Sequence, residues 1–153
     1  VKQIAAGLHE FKGVMRRLQH LGEFSGIQLY DDFAHHPTAV MATLSALRAK
    51  LGRQTIKVIF QFASNSMRQG VHNAALQGAF VDATKVYCLS DGEWDDKAWV
   101  SGVTVPAVMR REVSDLIRLV ASEAQSGDHV VLMTNKNSQL LFDHLSEALQ
   151  QPL

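Results

Sequence analysis

Residues 27–51 read IQLYDDFAHHPTAVMATLSALRAKL, and the fold turns on this stretch. Ile27 to Asp31 forms a short extended candidate, whereas Val40, Leu44, Leu47 and Leu51 recur at spacings of four, three and four. That second pattern is one buried face of a helix, which Gly52 can end. Pro37 suits the first helical turn, because its missing N–H would have no intrahelical partner there.

Upstream, Leu18 to Glu23 is another extended candidate, separated from Ile27 by Phe24, Ser25 and Gly26, whose Ser-Gly pair supplies turn chemistry. A hairpin is expected. Downstream, the apolar runs Ile56 to Phe62, Lys85 to Leu89 and His129 to Met133 predict strands covered on both faces. Between them, helices are expected over Gln69 to Val81 and along the face Val113, Leu116, Ile117, Val120, Ala121 and Ala124, ending near Gly127. Ser138 can cap a final helix with the stripe Leu141, Phe142, Leu145, Ala148 and Leu149. Only Ser90 to Pro106 reads as a long loop. The alternation predicts an α/β class: three layers, a mostly parallel sheet with an N-terminal β-hairpin, and helices on both faces. Such a sheet offers its functional loops beyond the strand C-termini, here Asp32 to Thr38, Ala63 to Gln69 and Thr134 to Ser138.

The 153 residues suit one domain, and an apolar share of 46% suffices for an ordinary core. Fifteen basic residues balance fifteen acidic ones, with no basic stripe, so nucleic acid is not an expected partner. Cys88, the single cysteine, lies in an apolar run and is expected to be a buried thiol in a reducing cytoplasm. No stretch approaches the roughly 20 apolar residues that span a bilayer, and no membrane partner is expected. The chain begins at Val1, and Lys2 to Glu10 reads as helical without a clear cap, which suggests a fragment of a longer protein.

Tyr30 to Thr38 gathers two carboxylates and two imidazoles at the end of a strand. Three accounts compete. In the plainest, His36 or an aspartate caps the helix and the remaining groups are solvated. In the second, zinc is bound, although adjacent histidines seldom face one ion and no matching cluster exists elsewhere, so no metal held by this chain alone is expected. In the third, a nucleotide is recognised: a carboxylate accepts from ribose, while imidazole and the helix N-terminus meet phosphate. The stretch Phe11 to Leu18 would supply the cation through Arg16 and Arg17, which could otherwise be an ordinary basic surface pair.

Gly13 to Gln19, GVMRRLQ, followed by a short hairpin and then Asp31 to Ala39, DDFAHHPTA, resembles the opening of the C-terminal domain of Mur ligases across residues 11 to 44. The alanine-adding members read DDYGHHPTE, whereas murein peptide ligases read GVKRRLE and DDFAHHPTA, so the second group is more similar. Ala63 to Arg68 also looks like the SNTMK stretch of that group. Two departures stand out: Gln61, Phe62 and Ala63 replace a usual Glu-Pro-Arg, and Met133 to Ser138 replaces a glycine-rich SNGGFGG loop, so that anion binding by a glycine nest is not expected.

The resemblance implies a Rossmann-like domain spanning residues 1–153, the last of three in an ATP-dependent ligase. The parent enzyme would join L-Ala-γ-D-Glu-meso-diaminopimelate to UDP-N-acetylmuramate through an acyl phosphate, in peptidoglycan recycling in the bacterial cytoplasm. ATP and Mg2+ would be held mainly by a central domain, since no G-x-x-x-x-G-K-[ST] pattern occurs in these residues, and the fragment alone would be inactive. By motif position, Arg17 would bind phosphate or ribose and Asp32 would accept from the ribose. His35 and His36 would orient Asp32, touch phosphate or cap the helix. Ser64, Asn65, Arg68 and Asn135 would hold the incoming peptide, with plain turn chemistry as their alternative. The acidic run Asp91 to Asp96 is left outside the site as a solvated loop. The competing readings are an alanine-adding ligase and a non-catalytic α/β binding module.

Overall fold

The computed structural model describes residues 15–62, 72–90 and 96–150. Within them the strands are β1 (Gln19–Phe24), β2 (Ile27–Asp32), β3 (Ile56–Gln61), β4 (Lys85–Leu89), β5 (Ala107–Arg110) and β6 (His129–Met133). The helices are α1 (Pro37–Leu51), α2 (Asn73–Gly78), α3 (Asp96–Gly102), α4 (Val113–Glu123) and α5 (Gln139–Gln150). One sheet runs in the order β1-β2-β6-β3-β4-β5. Only the β1–β2 pair is antiparallel, so the expected α/β class, hairpin included, is present.

Phe24 pairs directly with Ile27, which shortens the expected three-residue connection to Ser25-Gly26. Both have positive φ, 53° and 79°, the geometry of a two-residue hairpin turn matched to strand twist. Gly26 is required twice over, because a Cβ there would lie 2.3 Å from the Ser126 hydroxyl.

The central strands read as unbroken apolar runs because helices cover both faces of the sheet. On one face Val40, Leu44 and Leu47 of α1 pack with Val58, Phe60, Val131 and Met133. Leu76 of α2 and Trp99 of α3 extend that layer. On the other face Leu116 and Val120 of α4, with Leu141 and Leu145 of α5, cover Leu29, Ile59, Tyr87 and Leu132. Cys88 is fully buried, and burial pushes its thiol pKa well up.

Several expectations need correction. Part of Ser90 to Pro106 is the helix α3, whose one buried side chain, Trp99, gives no period to read. Strand β5 follows, unforeseen because it has four residues and only Met109 is buried. Of the expected Gln69 to Val81 helix, the described part is helical over Asn73–Gly78. The expected helix of residues 2–10 lies outside the described residues. Among the described residues no helix is long and apolar enough to cross a membrane.

At the opposite end of the sheet from the strand C-termini, ionisable groups are tied into the structure. Lys57 Nζ donates to Asp128 and to the Glu123 carbonyl, and Asp128 also accepts from the Gln125 N–H. Glu123 accepts from Lys85 and from the Tyr87 hydroxyl, which together hold its carboxyl below the usual range.

His129 Nε2 donates to Gln54 Oε1 at 2.9 Å, leaving Nδ1 to accept the Tyr30 hydroxyl at 3.1 Å. Burial lowers the His129 pKa, reinforced by Lys50 and His20 and opposed by Asp128. Because the folded value lies below the unfolded one, this contribution to stability is complete above the unfolded pKa of 6.5 and is lost as pH falls through the folded value. Urea midpoints should therefore drop as the pH is lowered from above 6.5 to below it. A His129→Gln variant should show a flatter profile over that interval, and an unchanged profile would refute the assignment.

Candidate functional site

In open α/β sheets ligands gather where the connections leaving adjacent strands turn to opposite faces. Here that happens on both sides of β6: α5 follows it on one face, while α1, after β2, packs on the other face together with α2, after β3. The C-terminal ends of β2, β3 and β6 therefore border two crevices, and the approach to β1 joins them.

That approach is unusual. Arg16 and Leu18 have φ of 56° and 47°, left-handed values that cost a non-glycine residue about 1–3 kcal/mol each and persist only where neighbours enforce them. The enforcing contacts are visible. Arg16 N–H donates to Gln19 Oε1 at 3.0 Å, and its carbonyl accepts from Phe33 N–H at 2.9 Å. Its guanidinium donates through Nε to Asp31 Oδ2 at 3.1 Å and through Nη2 to the Thr134 carbonyl, and lies 5.0 Å from the centre of the Phe33 ring. Leu18 N–H donates to Asp32 Oδ2 at 2.7 Å. Arg17, between the two strained residues, is exposed and has no hydrogen bond or ion pair among the described residues.

The paired aspartates end β2 facing different partners. Asp32 is 2% exposed, and its other oxygen accepts from Ala34 N–H at 2.7 Å. Asp31 Oδ2 accepts from Ser138 Oγ at 2.7 Å as well as from Arg16, while its Oδ1 is buried without a partner. Arg17 and Asp32 thus lie at the same edge of the sheet, because the peptide N–H following Arg17 binds the Asp32 carboxylate. The expected ribose contact is another matter, because both Asp32 oxygens already serve the loop and almost none of the residue reaches solvent. Asp32 anchors the presentation of Arg17.

His36 occupies the N-cap position of α1 without capping it, and no acidic residue stands in the first turn. The capping role expected of His36 or an aspartate is therefore not filled by a side chain, and the helix leaves its first N–H groups and positive dipole end to an anion. The His36 ring meets His72 edge-on at 5.0 Å, and His35 Nδ1 lies 2.9 Å from the Phe33 carbonyl. Among the described residues no three His, Cys, Asp or Glu side chains form a metal-binding group.

Around β6, Thr134 Oγ1 donates to Gln61 Oε1 at 2.7 Å and accepts from Lys136 N–H at 3.0 Å. The Asn135 Oδ1 is buried and unpartnered. Ser138 is not the side-chain cap expected for α5: its hydroxyl turns to Asp31, and Asn137 Oδ1 accepts from Gln139 N–H instead. Gln61, Val113, Lys136, Asn137, Leu140 and Leu141 line a cavity of about 560 Å3 beside this loop. Ser64, Asn65 and Arg68 lie outside the described residues. Of the residues singled out from sequence, Arg17, Asp32, His35, His36 and Asn135 lie on these strand-end segments, whereas the bonds that join Arg16, Asp31, Thr134 and Ser138 were not anticipated. The doubled Arg-Arg and Asp-Asp were the available signal: Arg16 turns inward and Arg17 outward, while both aspartates are buried, Asp31 holding Arg16 and Asp32 holding the peptide after Arg17.

The profile of the family described as Mur ligase, glutamate ligase domain, matches residues 16–135. A UDP-N-acetylmuramate–L-alanyl-γ-D-glutamyl-meso-2,6-diaminoheptandioate ligase of Escherichia coli is 37% identical over 134 residues, 86% of this chain and 29% of that protein. A crystal structure of a murein peptide ligase from Psychrobacter arcticus superposes with a TM-score of 0.83 at 29% identity, over 97% of this chain and 32% of that one. A crystallised domain from Haemophilus ducreyi, described as part of a ligase of the same name class, gives 0.74 at 31% identity, over 87% of this chain and 99% of that one. The chain spans about a third or less of the length of the curated relatives it matches.

Proposed function

We propose, from the premise that this chain belongs to the Mur ligase, glutamate ligase domain family, that it is the C-terminal domain of a three-domain ATP-dependent ligase. The enzyme would join a peptide, L-Ala-γ-D-Glu-meso-diaminopimelate, to UDP-N-acetylmuramate in the recycling of peptidoglycan in the bacterial cytoplasm. The observation that carries this reading is Arg17: an unpaired cation held by strained, fully anchored neighbours at the rim where α1 leaves its N-terminus uncapped. With its backbone fixed before the ligand arrives, Arg17 brings its guanidinium to developing phosphoryl charge with less reorganisation of the loop. ATP and Mg2+ would be held mainly by another domain of the ligase.

In this reading, closure of the domain brings Arg17 and the α1 N-terminus onto a phosphate, while His36 stands beside that terminus. The cavity by Lys136 and Asn137, with Asn135 on the same loop, holds the amino substrate as water is excluded. The muramate carboxylate is activated as an acyl phosphate and the peptide amine displaces phosphate. Asp32 supports the loop rather than the ribose.

Phosphate release by the ligase carrying this domain, given UDP-N-acetylmuramate, ATP and Mg2+, is expected to require the tripeptide. Arg17→Ala should reduce kcat/KM by about tenfold to a hundredfold. Release with alanine alone would point to the alanine-adding reaction, and a ligase unaffected by Arg17→Ala would remove the nucleotide role.

A further inference from the structure

Arg16 and Arg17 are neighbours in the chain with opposite duties. Arg17 faces solvent, whereas Arg16 turns its guanidinium inward and joins three strand-end segments. Its Nε reaches Asp31 at the end of β2, and its Nη2 reaches the Thr134 carbonyl after β6. Ser138, which immediately precedes α5, donates to the same Asp31 oxygen at 2.7 Å, so the β6–α5 loop is tied to Arg16 twice.

We propose that Arg16, acting through Asp31, is a positioning residue that aims Arg17 and couples its direction to the β6–α5 loop lining the amino-substrate cavity. The inference rests on the ligase reading above. Its physical basis is the backbone: at φ 56° Arg16 occupies a conformation it has no intrinsic reason to hold. Once the guanidinium bonds are removed, relaxation toward right-handed values rotates the peptide that carries Arg17. A planar fork can grip Asp31 and the Thr134 carbonyl together, which a lysine ammonium on a flexible stem does not reproduce. Movement of the 134–138 loop on binding the amino substrate therefore reaches Arg17 through two hydrogen-bonded links, with no contact between the substrate and either arginine.

An ordinary structural ion pair would have the same geometry, so the decisive measurement is a double-mutant cycle in the full-length ligase. Arg16→Gln is expected to lower kcat by about tenfold while the KM for UDP-N-acetylmuramate stays within about twofold. In an Arg17→Gln background the same change should have little further effect, because the group it aims is already gone. Arg16→Lys should retain the melting temperature better than Arg16→Gln and still fail to restore kcat. Should Arg16→Gln fold poorly, Ser138→Ala serves instead, with a loss of about threefold that likewise vanishes beside Arg17→Gln. Losses that multiply in the double variant, or full rescue by lysine, overturn the proposal. Sensitivity to Arg17→Gln with indifference to both Arg16→Gln and Ser138→Ala defeats this inference and leaves the ligase reading standing. An active ligase indifferent to Arg17→Gln defeats both.

Discussion

Lys57→Met is expected to destabilise the fold by about 3–5 kcal/mol, the usual consequence of stripping one partner from a buried ion pair. The Lys57 and Asp128 side chains are only 9% and 10% exposed, so neither charge has water to return to. Lys57 donates to the Asp128 carboxylate and to the carbonyl of Glu123, the last residue of α4, and so joins β3 to the turn that leads into β6. Without it, Asp128 keeps the Gln125 N–H but remains a buried charge. Methionine fills much of the same volume, so the loss reports charge rather than a cavity. Adding Asp128→Asn should recover a large part of it. Urea denaturation of the wild type and the two variants decides the matter, and a Lys57→Met loss below about 1 kcal/mol would mean that Asp128 is solvated in the native state.

Asp32→Ala is expected to lower stability by about 3 kcal/mol, because two backbone N–H groups lose a charged acceptor and each such bond contributes about 1.5–3 kcal/mol. The donors are Leu18 and Ala34, on either side of the β2 end. The result differs from an ordinary loop mutation because Leu18 sits at φ 47°, held there by this bond and its neighbours. Freed from the anchor, residues 16–18 should leave their left-handed conformations, and Arg17 should lose its fixed direction. Asparagine is no conservative replacement, since its amide presents a donor to one of two donors. Chemical denaturation beside phosphate-release kinetics tests both halves of the expectation: an Asp32→Ala protein with wild-type stability would show that the loop is anchored elsewhere.

Much of this architecture is legible from sequence, and the reasons are local. Strands β3, β4 and β6 announce themselves as short apolar runs because both of their faces are covered. Helices α1, α4 and α5 each bury a full stripe, which imposes a readable period. Strand β5 and helix α3 stay hidden because each buries a single large side chain. At the site, the position of Arg17 beside Asp32 follows from the resemblance in the 13–19 and 31–39 segments, but their division of labour does not. The Arg16–Asp31 and Asp31–Ser138 bonds join residues 15 and 107 positions apart. No local pattern specifies which of two adjacent arginines turns inward.

The place of β6 has a consequence for biosynthesis. It lies between β2 and β3, yet more than 65 residues separate the end of β3 from its start. While the nascent chain is emerging, the hairpin and the β3–β4–β5 half have no strand to unite them, and each leaves a backbone edge unsatisfied. Closure of the sheet therefore waits for His129 to Met133 to leave the ribosome, a late, non-local step of the kind that slows folding and lengthens exposure to chaperones.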